Sequence, residues 1–251
     1  DSVNDLAFSA DGAKLVCAGS NRLRFMGGEV NIWCTRTWNT TLTIEGNDVE
    51  SSRRVAISPD GKHLATGSAC CVTSGTCKQV CLRKVDDGRL LGRFADFQQD
   101  VQGLQFSPDG KSLAVGVAGN RTASIWSIPR GRKRWLQRAH AEASILRVVF
   151  SPGGNLLATC GDKNVALWDV ETGKSQAILK AHENEVRALA FSPDGATLFS
   201  TAWQELCVWD IASGRLLATQ SLPDLNLVGI GLNADGTQCV GVHTINDQLQ
   251  I

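Results

Sequence analysis

The sequence predicts an all-β fold assembled from repeated four-stranded antiparallel units, on three observations. A short turn signature, in its fullest form Phe-Ser-Pro-Asp-Gly, returns in variants six times along the 251 residues. The residues before each copy alternate in side-chain character with period two, the pattern of a half-buried strand. No segment carries the 3.6-residue periodicity of a helix.

The six anchors are Phe8-Ser9-Ala10-Asp11-Gly12, Ile57-Ser58-Pro59-Asp60-Gly61, Phe106-Ser107-Pro108-Asp109-Gly110, Phe150-Ser151-Pro152-Gly153-Gly154, Phe191-Ser192-Pro193-Asp194-Gly195 and Leu232-Asn233-Ala234-Asp235-Gly236. From the second residue of each to the next, the intervals are 49, 49, 44, 41 and 41, so the last two set the basic unit and the others carry insertions. Within a unit, Val186, Ala188 and Ala190 alternate with Arg187 and Leu189 as a first strand. Pro-Asp-Gly then makes a turn, because proline presets φ and glycine accepts a positive one. Apolar runs such as Leu156 to Thr159 and Val165 to Trp168 give the second and third strands, and Ser175 to Leu179 after Glu171-Thr172-Gly173 gives the fourth. Four short antiparallel strands in a unit of this length are the arithmetic of a β-propeller blade. Six repeats are present, and the expectation is that they form part of a seven-bladed ring.

Two units add a second signature. Ala139-His140 and Ala181-His182 precede the anchor, and Trp168-Asp169 and Trp209-Asp210 follow the anchor serine by 17 residues. On these motifs the chain resembles the WD-repeat β-propeller family over essentially its full length, with a bacterial-style Phe-Ser-Pro-Asp-Gly consensus. Other repeats depart from the pattern, with Trp33-Cys34, Leu82-Arg83 and Trp126-Ser127 at the corresponding place.

The resemblance implies a hydrogen-bonded chain in the fourth repeat running from His140 and Asp162 through Thr159 to Trp168. The chemistry agrees: an indole N–H only donates, a hydroxyl can accept it, and an imidazole can link that hydroxyl to a carboxylate. Histidine, hydroxyl and carboxylate together also resemble a hydrolase triad. The structural reading is preferred, because a satisfied blade interior needs the same groups and consumes the hydroxyl. The fifth repeat keeps His182, Ser200 and Trp209 but places Trp203 where the carboxylate would align, so a weaker network is expected there. In the third repeat Asn120 takes that place before Trp126, and no histidine precedes the anchor.

Candidate binding residues come from departures from the repeat. If the strands of a unit are called a to d in order, the d–a and b–c loops share one end and the a–b and c–d turns the other. Ser9 to Trp33 and Ser58 to Leu82 each span 24 residues, which puts an insertion in two b–c loops. The first holds Arg22, Arg24, Phe25 and Met26, and the second Cys71, Val72 and Thr73. Arginine and aromatic residues on scaffolded loops are the material of interface anchors, although Phe25 and Met26 folding back onto their own blade is the competing reading.

The cysteines at 70, 71, 77 and 81 do not follow paired Cys-x2-Cys spacing, and no metal or cofactor is expected. Cys17, Cys160, Cys207 and Cys239 fall in strand-like runs and are expected to pack as reduced, small hydrophobes. Arg130-Gly131-Arg132-Lys133-Arg134 is the one basic run, assigned to a c–d turn as a solvated surface. Lysine plus arginine equals aspartate plus glutamate at 25 each, so no global field favours nucleic acid or an anionic membrane. Two glycosylation tripeptides start at Asn39 and Asn120, but no secretory leader or long apolar span accompanies them, and the cytoplasm is expected. Phosphate-loop, zinc-protease and kinase signatures are lacking, so no enzyme is expected.

The leading functional expectation is a noncatalytic scaffold binding a protein or peptide on the end with the d–a and b–c loops, as the resemblance implies. The alternative is a sensor or autoinhibitory propeller in a larger signalling protein, such as a STAND-type ATPase or a kinase. More remote is a propeller enzyme or small-ligand binder. Residues 1–251 are expected to be a single propeller lacking its last strand, a piece of a longer polypeptide with further domains.

Overall fold

A computed structural model describes residues 2–21, 27–45, 52–68, 79–94, 97, 99–119, 121–128, 130–138, 144–223, 225–245 and 248–250. These contain twenty-three strands in six antiparallel sheets, each sheet following chain order. Sheet one is β1 (Ser2–Phe8), β2 (Lys14–Asn21), β3 (Gly27–Cys34) and β4 (Asn39–Glu45). Sheet two is β5 (Ser52–Ile57), β6 (His63–Ser68), β7 (Val80–Lys84) and β8 (Leu90–Phe94). Sheet three is β9 (Val101–Phe106), β10 (Ser112–Val117), β11 (Thr122–Ser127) and β12 (Arg132–Arg138). Sheet four is β13 (Arg147–Phe150), β14 (Leu156–Cys160), β15 (Asn164–Asp169) and β16 (Ser175–Lys180). Sheet five is β17 (Val186–Phe191), β18 (Thr197–Ala202), β19 (Glu205–Asp210) and β20 (Leu216–Ser221). Sheet six has three strands, β21 (Asn226–Leu232), β22 (Cys239–Ile245) and β23 (Gln248–Gln250). All-β, four-stranded antiparallel sheets are the fold the repeat predicted.

The a–b turns explain the signature chemically. In four of them the serine hydroxyl donates to the aspartate two residues on, at 2.6 Å for Ser9 and Asp11, 2.5 Å for Ser58 and Asp60, 2.6 Å for Ser107 and Asp109, and 2.5 Å for Ser192 and Asp194. The same carboxylate accepts the backbone N–H two residues further on, at 3.0 Å in each turn. The serine oxygen accepts the amide that opens strand b, at 2.9 Å in each. Each carboxylate is thereby held below its ordinary range, the serine hydrogen bond being the largest cause. Gly195 closes its turn at φ 72, a left-handed conformation open to glycine. In the fourth turn Gly153 replaces the aspartate, and Ser151 reaches Asn155 Oδ1 instead, at 3.1 Å.

The chain falls into two compact units, 1–120 with 124–134 and 121–123 with 135–251. In the first, Val16, Val30, Ile32, Val55 and Leu64 form one buried cluster. Ala65, Leu82, Phe94, Val101, Phe106, Val115 and Trp126 form another, with Phe94 stacked on Trp126 at 5.2 Å. In the second unit the core includes Cys160, Val165, Leu167, Val186, Phe191, Leu198, Cys207 and Trp209. Phe8 and Leu6 on β1 are exposed, while Ile57 and Phe106 at the place of Phe8 are buried. Every residue of β20 is exposed.

Four assignments change. Only Arg130 and Gly131 belong to the c–d turn of sheet three; Arg132, Lys133 and Arg134 lie on β12, because Gly131 already completes the reversal at φ 62. Lys133 sets its ammonium 5.4 Å from the Trp126 ring centroid. In sheet two, Leu64 pairs with Arg83, as Leu157 pairs with Trp168 and Leu198 with Trp209, so Arg83 and not Leu82 takes the tryptophan's place. Cys239 is exposed and Cys17 only half-buried, unlike the buried Cys160 and Cys207. The fourth change concerns sheet five.

Candidate functional site

Among the described residues, a buried polar cluster lies in sheet five, where strands b and c and the loop entering strand a converge. Ser200 on β18 and Trp209 on β19 are almost completely buried, and the indole N–H donates to the hydroxyl oxygen at 2.8 Å. His182, from the loop before β17, sets Nε2 2.6 Å from the same oxygen. Its Nδ1 lies 2.5 Å from Glu205 Oε2 at the start of β19. The alignment of Trp203 with the carboxylate position missed Glu205. A two-residue hairpin, in which Ala202 pairs with Glu205, brings the carboxylate in from strand c, so the histidine of this sheet has a carboxylate partner where the alignment offered Trp203.

Burial lowers the His182 pKa, against the opposing pull of Glu205. With a neutral ring every group is satisfied: Trp209 donates to Ser200, Ser200 to Nε2, and Nδ1–H to Glu205. The serine, histidine and carboxylate reproduce triad connectivity, but the hydroxyl is fully buried and already accepts an indole proton. Cys207 Sγ joins the cluster 3.7 Å from His182 Nδ1, its thiol pushed up to about 11 by burial. His182, Glu205 and Cys207 thus bring three ligand-type atoms within 4.8 Å of one another. Two ligands at about 2.0 Å on a tetrahedral ion stand roughly 3.3 Å apart, so the 2.5 Å between Nδ1 and the carboxylate is hydrogen-bond spacing.

Sheet four places its tryptophan's acceptor alike, nine residues before the ring on strand b, whereas sheets one and three depart from that arrangement. In sheet four Trp168 donates to Thr159 at 3.0 Å, and Asp162 accepts the Asn164 amide at 2.7 Å. His140, the residue assigned to complete that chain, lies outside the described residues. In sheet three Trp126 donates to Ser124 on its own strand at 2.9 Å, and Asn120 lies outside the described residues. In sheet one Trp33 pairs with Leu15, which puts Cys17 where sheet five has Ser200. Trp33 Nε1 is buried there with no acceptor among the described residues.

The partner-loop candidates Arg22, Arg24, Phe25, Met26, Cys71, Val72 and Thr73 all lie outside the described residues. The strands around them are described: β2 pairs with β3 out to Asn21 and Gly27, and β6 and β7 flank residues 69–79. Both segments are therefore b–c connections, against residues 161–163 in sheet four and 203–204 in sheet five. Among the described residues, the exposed b–c residue that sequence reasoning treated only as a misplaced carboxylate is Trp203. It is 48% exposed, and the Arg187 guanidinium lies over its ring at 5.6 Å. Among the described residues, no helix is long and apolar enough to cross a membrane.

The family model described as WD domain, G-beta repeat matches residues 38–79, 88–127, 132–169 and 173–210, more than half of the chain. The WD repeat-containing protein SL1-17 of Schistosoma mansoni is 32% identical over 59% of this chain and 46% of its own length. The Lissencephaly-1 homolog of Caenorhabditis briggsae is 32% identical over 42% of this chain and 27% of its own. WD repeat and HMG-box DNA-binding protein 1 of Xenopus laevis is 23% identical over 70% of this chain and 14% of its own. The chain thus spans less than half the length of each of these relatives.

Proposed function

Since the chain belongs to the WD-repeat family, we propose that it is a noncatalytic protein-interaction scaffold holding a protein or peptide at the end that carries its d–a and b–c loops. The observation that carries this reading is where the repeat is extended: the b–c connection of sheet two runs over 69–79, and sheet one carries its insertion as the eight-residue strands β2 and β3 with the connection 22–26, against 118–121, 161–163 and 203–204 in sheets three to five. Loops of uneven length on a stiff sheet framework are where binding residues concentrate. The loop residues Arg22, Arg24, Phe25, Met26, Cys71, Val72 and Thr73 are the proposed contacts. His182, Ser200, Trp209, Thr159, Asp162 and Trp168, with His140, are assigned a structural part, because the hydroxyls are sealed from any substrate.

The setting proposed is the cytoplasm, in one propeller spanning residues 1–251 within a seven-bladed ring and a longer polypeptide. The exposed Phe8, whose counterparts Ile57 and Phe106 in sheets two and three are buried, supports a further sheet packing there. Nucleic acid is not the proposed partner, given the balance of 25 basic and 25 acidic residues.

The test is the double substitution Arg24→Ala with Phe25→Ala in the full-length parent, compared with wild type by co-purification and by thermal melting. The scaffold reading expects a reproducible set of proteins to be lost while the melting temperature is unchanged. An unchanged set would remove the assignment of the loops.

A further inference from the structure

Ala202 pairs with Glu205 across the hairpin between β18 and β19, so Trp203 and Gln204 are its two central residues. The first central residue of such a hairpin commonly requires φ > 0, which is why glycine and asparagine dominate there. Trp203 stands at φ 41, in the left-handed region that a bulky side chain enters only with strain. Packing does not repay the strain in the usual way, since nearly half of the residue faces solvent. The backbone needs of the turn are carbonyl needs that any residue meets: Leu227 N–H donates to Trp203 O at 2.8 Å and Leu222 N–H to Gln204 O at 2.7 Å.

The indole is not left loose. Arg187 on β17 lies over it at 5.6 Å, and that guanidinium is itself positioned by Asn226 Oδ1 at 3.1 Å and by Glu185 at 3.7 Å. A half-exposed aromatic plate with a positioned cation over its ring is the kind of side chain that dominates interface energies. Its surroundings set the chemistry of what docks. Glu183 and Glu185 are exposed on the loop entering β17, and the Glu205 side chain is 28% exposed. Arg187, the cation over the ring, already answers Glu185 and Asn226, so its charge is partly spent.

We propose that Trp203 anchors a docking surface for a basic protein segment, one whose lysine or arginine lays its aliphatic stem on the indole and its charge toward Glu185 and Glu183. The inference rests on the scaffold reading and gives it a partner class and an anchor. Long basic side chains suit the place because they carry an apolar stem and a charged head together.

The experiment uses the full chain and three sets of labelled 12-residue synthetic peptides, lysine/arginine with apolar residues, aspartate/glutamate with apolar residues, and neutral, read by fluorescence anisotropy at low and moderate salt. Basic peptides are expected to bind most tightly and to weaken as salt rises. Trp203→Ala and Trp203→Gly are each expected to weaken them by about tenfold, and Glu185→Gln by several-fold. Trp203→Gly is also expected to melt no lower than wild type, because glycine relieves the positive φ. Equal binding of all three sets, or basic-peptide binding that survives Trp203→Gly, overturns the inference. So does a lower melting temperature for Trp203→Gly, which would show that the indole is kept for the turn. Each of these results leaves the scaffold reading to the separate outcome for Arg24 and Phe25.

Discussion

Sheets one and five share a backbone register around their tryptophans, with Leu15 opposite Trp33 and Leu198 opposite Trp209, yet their interiors differ. In sheet five a hydroxyl, an imidazole and a carboxylate close a chain on Trp209. In sheet one the hydroxyl's place holds Cys17, and Trp33 Nε1 has no acceptor among the described residues. The same strands and register are thus compatible with a satisfied and an unsatisfied indole. The hairpins and turns specify the sheet, whereas the buried chain adds stability sheet by sheet.

The largest effect should come from breaking the complete case. Ser200→Ala removes the acceptor of Trp209 and the partner of His182 Nε2, leaving two buried polar groups unsatisfied, at a cost of about 3 kcal/mol. Cys17→Ala, at the matching place in sheet one, strands no indole and should cost about 1 kcal/mol, chiefly for lost packing. Urea denaturation of both variants checks the contrast, and equal costs would contradict it. Trp168→Phe, which leaves only Thr159 without its indole, should fall between them at about 1 to 3 kcal/mol.

How much of this was legible in the sequence follows from how local each feature is. The a–b turns were readable because serine, aspartate and glycine write their own hydrogen bonds within a few residues. Strand order followed from the repeat. Glu205 was missed because the carboxylate was sought at a fixed count before the tryptophan, while the hairpin delivers it from strand c. Arg83 was displaced by one residue because the insertion at 69–79 hides the register, which only cross-strand pairing reveals. The strain at Trp203 is a backbone dihedral and leaves no mark in composition.

Acid should separate the two sheets next. His182 is held below its ordinary 6.5 by burial, so as pH falls the unfolded chain takes up that proton before the folded one does. Stability is therefore expected to decline as pH drops below 6.5 and to stop declining from this cause once the folded imidazole has titrated. Asp11, Asp60, Asp109, Asp169, Asp194 and Asp210 are also depressed, by turn hydrogen bonds, which adds a second decline below 3.8. His182→Gln should abolish the first decline and keep the second. Melting temperatures followed by circular dichroism across this range would show it, and a first decline that persists in the variant would place its origin elsewhere.

Repairing the incomplete case should give a smaller effect of opposite sign. Cys17→Ser offers Trp33 an acceptor at the position from which Ser200 serves Trp209, and should stabilise by about 1 kcal/mol, or about 2 to 4 °C in melting temperature. Cys17→Val, equally unable to accept, serves as the control and should give no such gain.

The smallest effect is expected where sheet four departs from the shared turn. Its Ser151 turns to Asn155 at 3.1 Å because Gly153 has no carboxylate to offer, whereas the aspartates of four other turns take the serine proton at 2.5 to 2.6 Å. Gly153→Asp would restore that acceptor and restrict the unfolded chain. A Cβ at Gly153 would approach Asn155 Oδ1 at 3.3 Å, so the asparagine must give way slightly as it surrenders the serine. The two gains offset that adjustment and leave about 0.5 kcal/mol of net stabilisation. Differential scanning calorimetry of Gly153→Asp beside Gly153→Ala isolates the carboxylate, since alanine shares the backbone gain alone; no advantage of aspartate over alanine would deny the turn carboxylate a part in holding the sheet.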